Sequence, residues 1–169
     1  HYSMEIAHPV IKSNIWCDSI FITFWVWNKY YLEEFEKIKG YVFQHIGNNQ
    51  YLRFDINSIS ENGGFPKIES VFYANADSDN YKELLIIVSR KFIHKGAGAE
   101  GRWYEILAYD DIKTTKNKEL IFLSHIRDML IGGCDCIYEE GSRIDGLTEE
   151  FAKLKTANAV KLKLKELGY

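Results

Sequence analysis

Apolar positions along the chain change period several times, and each change marks an element. Ile20-Phe21-Ile22-Thr23-Phe24-Trp25-Val26-Trp27 is a β-branched and aromatic run, apolar on both alternating faces. That is the pattern of a central strand covered on two sides. Asn28 is placed to cap the next element, and Glu33 and Glu34 suit an early helical turn. Leu32, Phe35, Ile38, Val42 and Ile46 then recur at spacings of three and four. This predicts an amphipathic helix from Lys29 to Ile46, closed by Gly47-Asn48-Asn49.

A series of strands follows. Tyr51 to Ile56 alternates in part, and Asn62-Gly63-Gly64 supplies a turn before Pro66. Lys67 to Ala76 alternates weakly, and Asp77-Ser78-Asp79-Asn80 is a strong turn signal. Glu83 to Ser89 contains the unbroken run Leu84-Leu85-Ile86-Ile87-Val88, a second candidate for a central strand. Gly101 to Tyr109 completes the series, and the short turns favour an antiparallel meander.

Two helices are predicted beyond it. Asn117 caps a helix through Leu120, Leu123, Ile126, Arg127 and Leu130 to Gly132-Gly133, and Cys134 to Gly146 reads as irregular and acidic. Thr148 with Glu149 and Glu150 marks a helix start, with Phe151, Leu154, Val160, Leu164 and Leu167 as its stripe. Val160 to Lys165 also alternates strictly, a strand pattern, but its Leu, Lys and Ala content favours helix. The predicted order is β-α-β-β-β-β-α-α: a single α+β domain over residues 1–169, with helices packed on a mostly antiparallel sheet of about five strands. His1-Tyr2-Ser3, ahead of Met4, are read as additions to the natural chain.

Composition agrees with such a domain. The chain has 169 residues, 46% of them hydrophobic and 27% charged, ordinary proportions for a globular core. Aromatics make up 15%, so some are expected at the surface as well as inside. No apolar run reaches the roughly 18–20 residues that span a bilayer. No basic segment followed by an apolar stretch and a cleavage site opens the chain. Three cysteines, two of them one residue apart, make a poor disulfide framework, so reduced thiols in a cytoplasm are expected. The net charge of −3 argues against a general nucleic-acid binder.

Each candidate site lacks a second element. Gly96-Ala97-Gly98-Ala99-Glu100-Gly101 has the glycine spacing of a dinucleotide loop, but the strand-like Arg102-Trp103-Tyr104-Glu105-Ile106 follows where a helix is required. It reads as a hairpin loop. Cys134-Asp135-Cys136 has neither zinc spacing nor a second pair. Asp77 and Asp79, Asp110-Asp111 and Glu139-Glu140 read as exposed turn acids. There is no His-Glu-x-x-His, no nucleophile elbow, and no Asp with a Glu-x-Lys on the next strand. No enzyme, cofactor or metal is therefore assigned.

The aromatics divide. Trp25 and Trp27 share one strand face and read as core. Tyr30 and Tyr31 open the first predicted helix, half exposed. Phe72/Tyr73 and Trp103/Tyr104 put one ring on each face of their strands, so one of each pair is expected on an outer sheet face rimmed by Asp77, Asp79, Glu69 and Glu105. Lys153, Lys155, Lys161, Lys163 and Lys165 make the C-terminal segment basic; a solvated helix face is the expected reason.

In its size, its Ile20–Trp27 strand, its meander through Tyr109 with the Gly96–Gly101 loop and its lack of a catalytic constellation, the chain resembles the immunity proteins of bacterial contact-dependent growth inhibition systems. The resemblance implies a cytoplasmic antitoxin that binds and neutralises a cognate toxin domain, expected to be a nuclease, by covering its active site or nucleic-acid surface. One branch of that family accepts a toxin β-hairpin at a sheet edge. The strands flanking Gly96–Gly101, or Lys67–Ala76, would then be the docking edge. The expected partner-binding residues are Glu69, Tyr73, Asp77, Asp79, His94, Glu100, Arg102, Tyr104 and Glu105. The alternative is a nucleic-acid-binding module using sheet aromatics and the basic C-terminal helix.

Overall fold

The computed structural model describes residues 2–29, 37–114, 117–138 and 149–169, without the side chains of residues 2, 3, 27–29 and 97. Strands β1 (Tyr2–Ser13), β2 (Ile20–Lys29), β3 (Lys37–Gly47) and β4 (Gln50–Ser60) form one sheet in sequential order. Strands β5 (Pro66–Ala74), β6 (Glu83–His94), β7 (Ala99–Tyr109), β8 (Gly133–Tyr138) and β9 (Glu149–Glu150) form a second, also sequential. Every ladder is antiparallel. Helices α1 (Ser124–Met129) and α2 (Ala157–Glu166) and a single 3-10 turn at Lys95–Ala97 complete the described elements. The α+β class with a dominant antiparallel sheet holds, and the strands divide between two sheets.

Three layers result. From the first sheet Ile20, Ile22, Phe24, Ile38, Val42, Phe54 and Ile56 point inward onto Ile68, Leu84, Ile86, Val88, Leu107 and Tyr109 of the second. The opposite face of the second sheet, with Leu85, Ile87, Ile106 and Ala108, is covered by Ile126, Leu130, Val160 and Leu164. Strand β6 is therefore the middle of the molecule, and all five residues of its apolar run are 0% exposed. Burial on both faces requires a continuous apolar run in place of alternation, and each such side chain contributes roughly 1.5–3 kcal/mol.

The predicted helix at Lys29–Ile46 is corrected. Residues 37–47 are strand β3, and residues 30–36 lie outside the described residues. A four-residue spacing, as in Ile38–Val42–Ile46, is close to one helical turn and also equals two strand repeats. The intervening Lys37, Lys39, Tyr41 and Phe43, all pointing the other way, show which period applies. Ile46 is exposed. Gly47-Asn48-Asn49, read as a helix stop, forms the β3–β4 turn with positive φ at all three residues.

The second helix is shorter than predicted. Glu119 bridges Asp55, Phe122 bridges Tyr109, and the N–H groups of Leu120 and Leu123 donate to Asp55 and Ala108. The open edges of β4 and of the last part of β7 take up backbone groups that a helix would otherwise satisfy. Of Cys134 to Gly146, read as irregular, residues 134–138 lie in strand β8, and Glu149-Glu150, read as the start of a helix, pairs with it as β9. Thr148 and the rest of 139–148 lie outside the described residues. The C-terminal helix is shorter than predicted: α2 starts after Thr156, whose side chain accepts from Ala159 N–H, and Phe151 and Leu154 of the predicted stripe precede it. Strand β1 carries no prediction.

Gly40 of β3 lets the inward side chains of the two neighbouring strands, Phe24 and Ile56, close over the backbone between them. An added Cβ would stand 2.8 Å from the Phe24 ring and 3.0 Å from Ile56. Gly40→Ala is expected to destabilise the protein by about 1–3 kcal/mol, read as a lower denaturation midpoint at unchanged slope; an unaltered midpoint would mean that Phe24 and Ile56 yield freely.

Candidate functional site

The nine predicted partner-binding residues do not form one surface. Glu69, Glu100, Arg102 and Tyr104 gather on the helix-bearing face of the second sheet, beyond the end of the helices. There Ser89 donates to Glu69 at 2.7 Å, Arg102 donates to Ser89 at 2.8 Å and Lys67 pairs with Glu69 at 2.9 Å. Burial raises the Glu69 carboxyl, but the hydrogen bonds from Ser89 and Lys67 and the charges of Lys67 and Arg102 outweigh it, and the net shift is downward. Asp135 accepts Lys155 at 2.9 Å and the Ala152 N–H at 3.0 Å. Glu100, Arg102, Tyr104 and Asp135 line a shallow concavity with Lys91 and Ile137. The acids Glu69 and Asp135 are thus engaged within the chain.

The other predicted residues separate. Glu105 lies on the opposite face and pairs with the buried Arg90 at 2.8 Å; Arg90 also donates to the Ser60 carbonyl, joining the two sheets. Tyr73 packs into the core with its ring edge on Trp16. His94 is exposed at the end of β6; the β6–β7 hairpin turns at Lys95–Gly98, and Ala99–Gly101, read with Gly96–Gly98 as loop, already belong to β7. Between Phe72, Tyr73, Trp103 and Tyr104, only Trp103 is largely exposed.

The proposed docking edges change accordingly. Strands β6 and β7 are interior, with β7 flanked by β8 over Ala99–Tyr104. Strand β5, which overlaps the predicted Lys67–Ala76, is an edge, but it opens on Pro66 and carries a bulge between Ile68 and Ser70. Edge β1 carries Pro9 and two irregularities. Prolines and bulges interrupt the row of unpaired backbone groups that an added strand requires.

The sequence missed a different surface, the outer face of the first sheet. Trp25, expected in the core, points outward there, and its indole donates to Thr23 at 3.1 Å; the Trp27 side chain lies outside the described residues. Register aligns Lys12, Phe21, Phe43 and Arg53 in one row across all four strands. Thr23, Tyr41 and Asp55 form the next row, and Ile6, Trp25 and Lys39 another. Arg53 lies 5.3 Å from the Tyr41 ring centre and Lys12 6.0 Å from that of Phe21. Phe21, His45 and Tyr51 close the end of the face through ring contacts at 6.0 and 5.2 Å. The signal was present in the alternation of Lys37 to Phe43, which a helical reading spread around a cylinder.

Two further expectations are corrected. The Sγ atoms of Cys134 and Cys136, expected as reduced thiols, are joined as a disulfide, on neighbouring same-face positions of β8. The turn acids are not all exposed: Asp111 is buried and Asp77 and Asp110 are half-buried, and with Asp79 and the buried Glu83 at the start of β6 they form a carboxylate group. Comparison with protein-family models, curated proteins and solved structures finds no match to this chain.

Burial, reinforced by the charges of Asp77 and Asp79 and opposed by the Ala76 N–H, raises Glu83 from 4.5 to about 7. A carboxyl whose pKa is higher in the folded state contributes stability that is fully present below its unfolded value. That stability is lost as the pH rises through about 7. The chelator-treated protein is therefore expected to melt lower at pH 8 than at pH 5.5. Glu83→Gln should remove most of that slope and stabilise the pH 8 form by roughly 1–3 kcal/mol. Parallel melting curves for variant and parent across this range would show that Glu83 stays ionised.

Proposed function

We propose that the chain is a binding protein that meets a partner protein on the outer face of its first sheet. The Lys12–Phe21–Phe43–Arg53 row carries the reading: aromatic rings at the centre of a face that no described residue covers, with cations at the rim. Interfaces favour this arrangement, with large rigid side chains at the middle and charges where water remains. Exposed Met4 and Ile6 extend the same face with aliphatic surface, which suits a protein partner better than stacked bases. Its cations call for a partner with acids around its own apolar centre.

The resemblance to immunity proteins supplies the partner class, a toxin domain neutralised by being covered. In that reading the chain works in the cytoplasm and performs no reaction of its own. A reducing cytoplasm would hold Cys134 and Cys136 as thiols, so recovery of the bridged form from thiol-blocked cells would count against that location. Single-stranded nucleic acid is the second reading, favoured by the placement of Lys12 and Arg53 over aromatic rings.

Titration against the domain encoded by the neighbouring gene separates these readings. A 1:1 complex is expected, weakened about 100-fold by Phe21→Ser or Phe43→Ser and little affected by Glu166→Gln. Absence of a complex, or one indifferent to both phenylalanines, removes the proposed face. Oligonucleotide binding that falls steeply with salt and needs the same phenylalanines would replace the protein partner.

A further inference from the structure

The loop joining β5 to β6 and the step after β7 bring five carboxylates to one end of the second sheet. Asp77, Asp79 and Glu83 each place an oxygen within 4.8 Å of the others, and Asp79, Asp110 and Asp111 do the same, so Asp79 belongs to both groups. Acidic clusters on exposed turns are common and mean little. This one includes acids that solvent does not reach: Glu83 is 0% exposed and Asp111 1%.

One oxygen of each carboxylate is fixed by backbone donors. Ala76 N–H donates to Glu83 Oε2, and the Lys113 and Thr114 N–H groups donate to Asp111 Oδ1. Asp79 N–H donates to Asp77 Oδ1 at 2.9 Å, Tyr81 N–H to Asp79 Oδ1 at 2.6 Å, and Asp111 N–H to Asp110 Oδ1 at 2.7 Å. The second oxygens of the two buried acids, Glu83 Oε1 and Asp111 Oδ2, are buried without a hydrogen-bond partner. Among the described residues no lysine or arginine forms an ion pair with any of the five. Buried carboxylate oxygens without a donor are strongly unfavourable unless a proton or a cation compensates them.

We propose that this cluster is a site for a calcium-class divalent cation, with Asp79 shared between one group formed with Asp77 and Glu83 and another formed with Asp110 and Asp111. All five side-chain ligands are oxygen, which selects a hard cation over zinc or copper. They come from two loops and outnumber the one or two carboxylates with which magnesium is usually held among its waters; a larger ion with six to eight flexible oxygen ligands suits them better. The ion would neutralise the charges packed at the start of β6 and tie the β5–β6 loop to the end of β7. This site is separate from the proposed docking face and shares no residue with it, so either can fail alone.

The test uses the full chain, stripped of divalent ions by a chelator and titrated with calcium chloride and, separately, magnesium chloride. Heat of binding and indole fluorescence are the readouts, since Trp16 donates to the Lys82 carbonyl within the loop at 2.5 Å. Saturable calcium binding is expected below about 10 mM, with a rise in melting temperature and weaker binding of magnesium. Asp79→Asn keeps the oxygen that accepts Tyr81 N–H and should weaken calcium at least about tenfold. Glu83→Gln should do the same while remaining folded by circular dichroism, and Glu61→Gln, at an exposed acid outside the cluster, should bind as the parent does. Absence of heat and of a melting shift at 10 mM calcium would overturn the site. Binding unchanged in both Asp79→Asn and Glu83→Gln would overturn it equally, and equal affinity for magnesium would overturn the calcium-class assignment.

Discussion

Burial of β6 on both faces is the constraint on which the rest of the molecule depends. A strand that must be apolar throughout, from Leu84 to Val88, needs one complete layer on each side. The first sheet supplies one and the two helices the other. The division into three layers follows, and so does the position of everything polar. Arg90, where the apolar run has ended, is held between Glu105 and the Ser60 carbonyl at the seam of the sheets. Glu83, at the other end of the strand, is caught beneath the layers where the β5–β6 loop begins to turn. The carboxylate cluster is in this sense a product of the core: the packing that buries Leu84 also removes water from its neighbour.

Among the described residues, the first sheet is covered on one side only. Its inner positions are aliphatic or Phe24 and Phe54, while its outer positions carry Phe21, Trp25, Tyr41 and Phe43 with lysines and an arginine between them. Half-covered strands ordinarily alternate apolar with polar residues. Aromatic and β-branched side chains on an uncovered face lower solubility and are not needed by the core, which is complete without them. Their presence in rows across β2 and β3 is the argument for a second molecule there, because a row places neighbouring rings on one continuous surface while scattered rings would not.

Much of this was legible in the chain. The turn residues at Asn62-Gly63-Gly64 and Asp77–Asn80 separated strands correctly because their chemistry is local. The run Leu84–Val88 announced double burial because nothing else requires five apolar residues in succession in so short an element. What failed was whatever depended on a partner strand. Residues 37–47 have spacings compatible with helix and strand, and pairing with both β2 and β4 decided between them. Residues 119–123 have helical periodicity, but free edges of two different strands drew their backbone groups away. Trp25 looked like core because a strand apolar on both faces is usually covered on both; no local signal says that one cover is absent. Asp111 looks like a solvated turn acid because its burial is imposed by the layers above and below it.

Trp16 ties the first sheet to the acidic loop. It leaves the β1–β2 connection of the first sheet, packs its ring against Tyr73 of β5, and donates its indole N–H to the Lys82 carbonyl. The loop from Asp77 to Glu83 is therefore fixed at one end by the second sheet, through Glu83 itself, and at a neighbouring residue by the first. A loop that collects repelling carboxylates would ordinarily relieve them by swinging into solvent. Here the buried indole holds the backbone, Ala76 N–H holds the Glu83 side chain, and Lys113 and Thr114 hold Asp111 from the far side. The acids remain together because three separate parts of the fold prevent their dispersal, and that persistence distinguishes the group from the exposed acidic turns its sequence suggests.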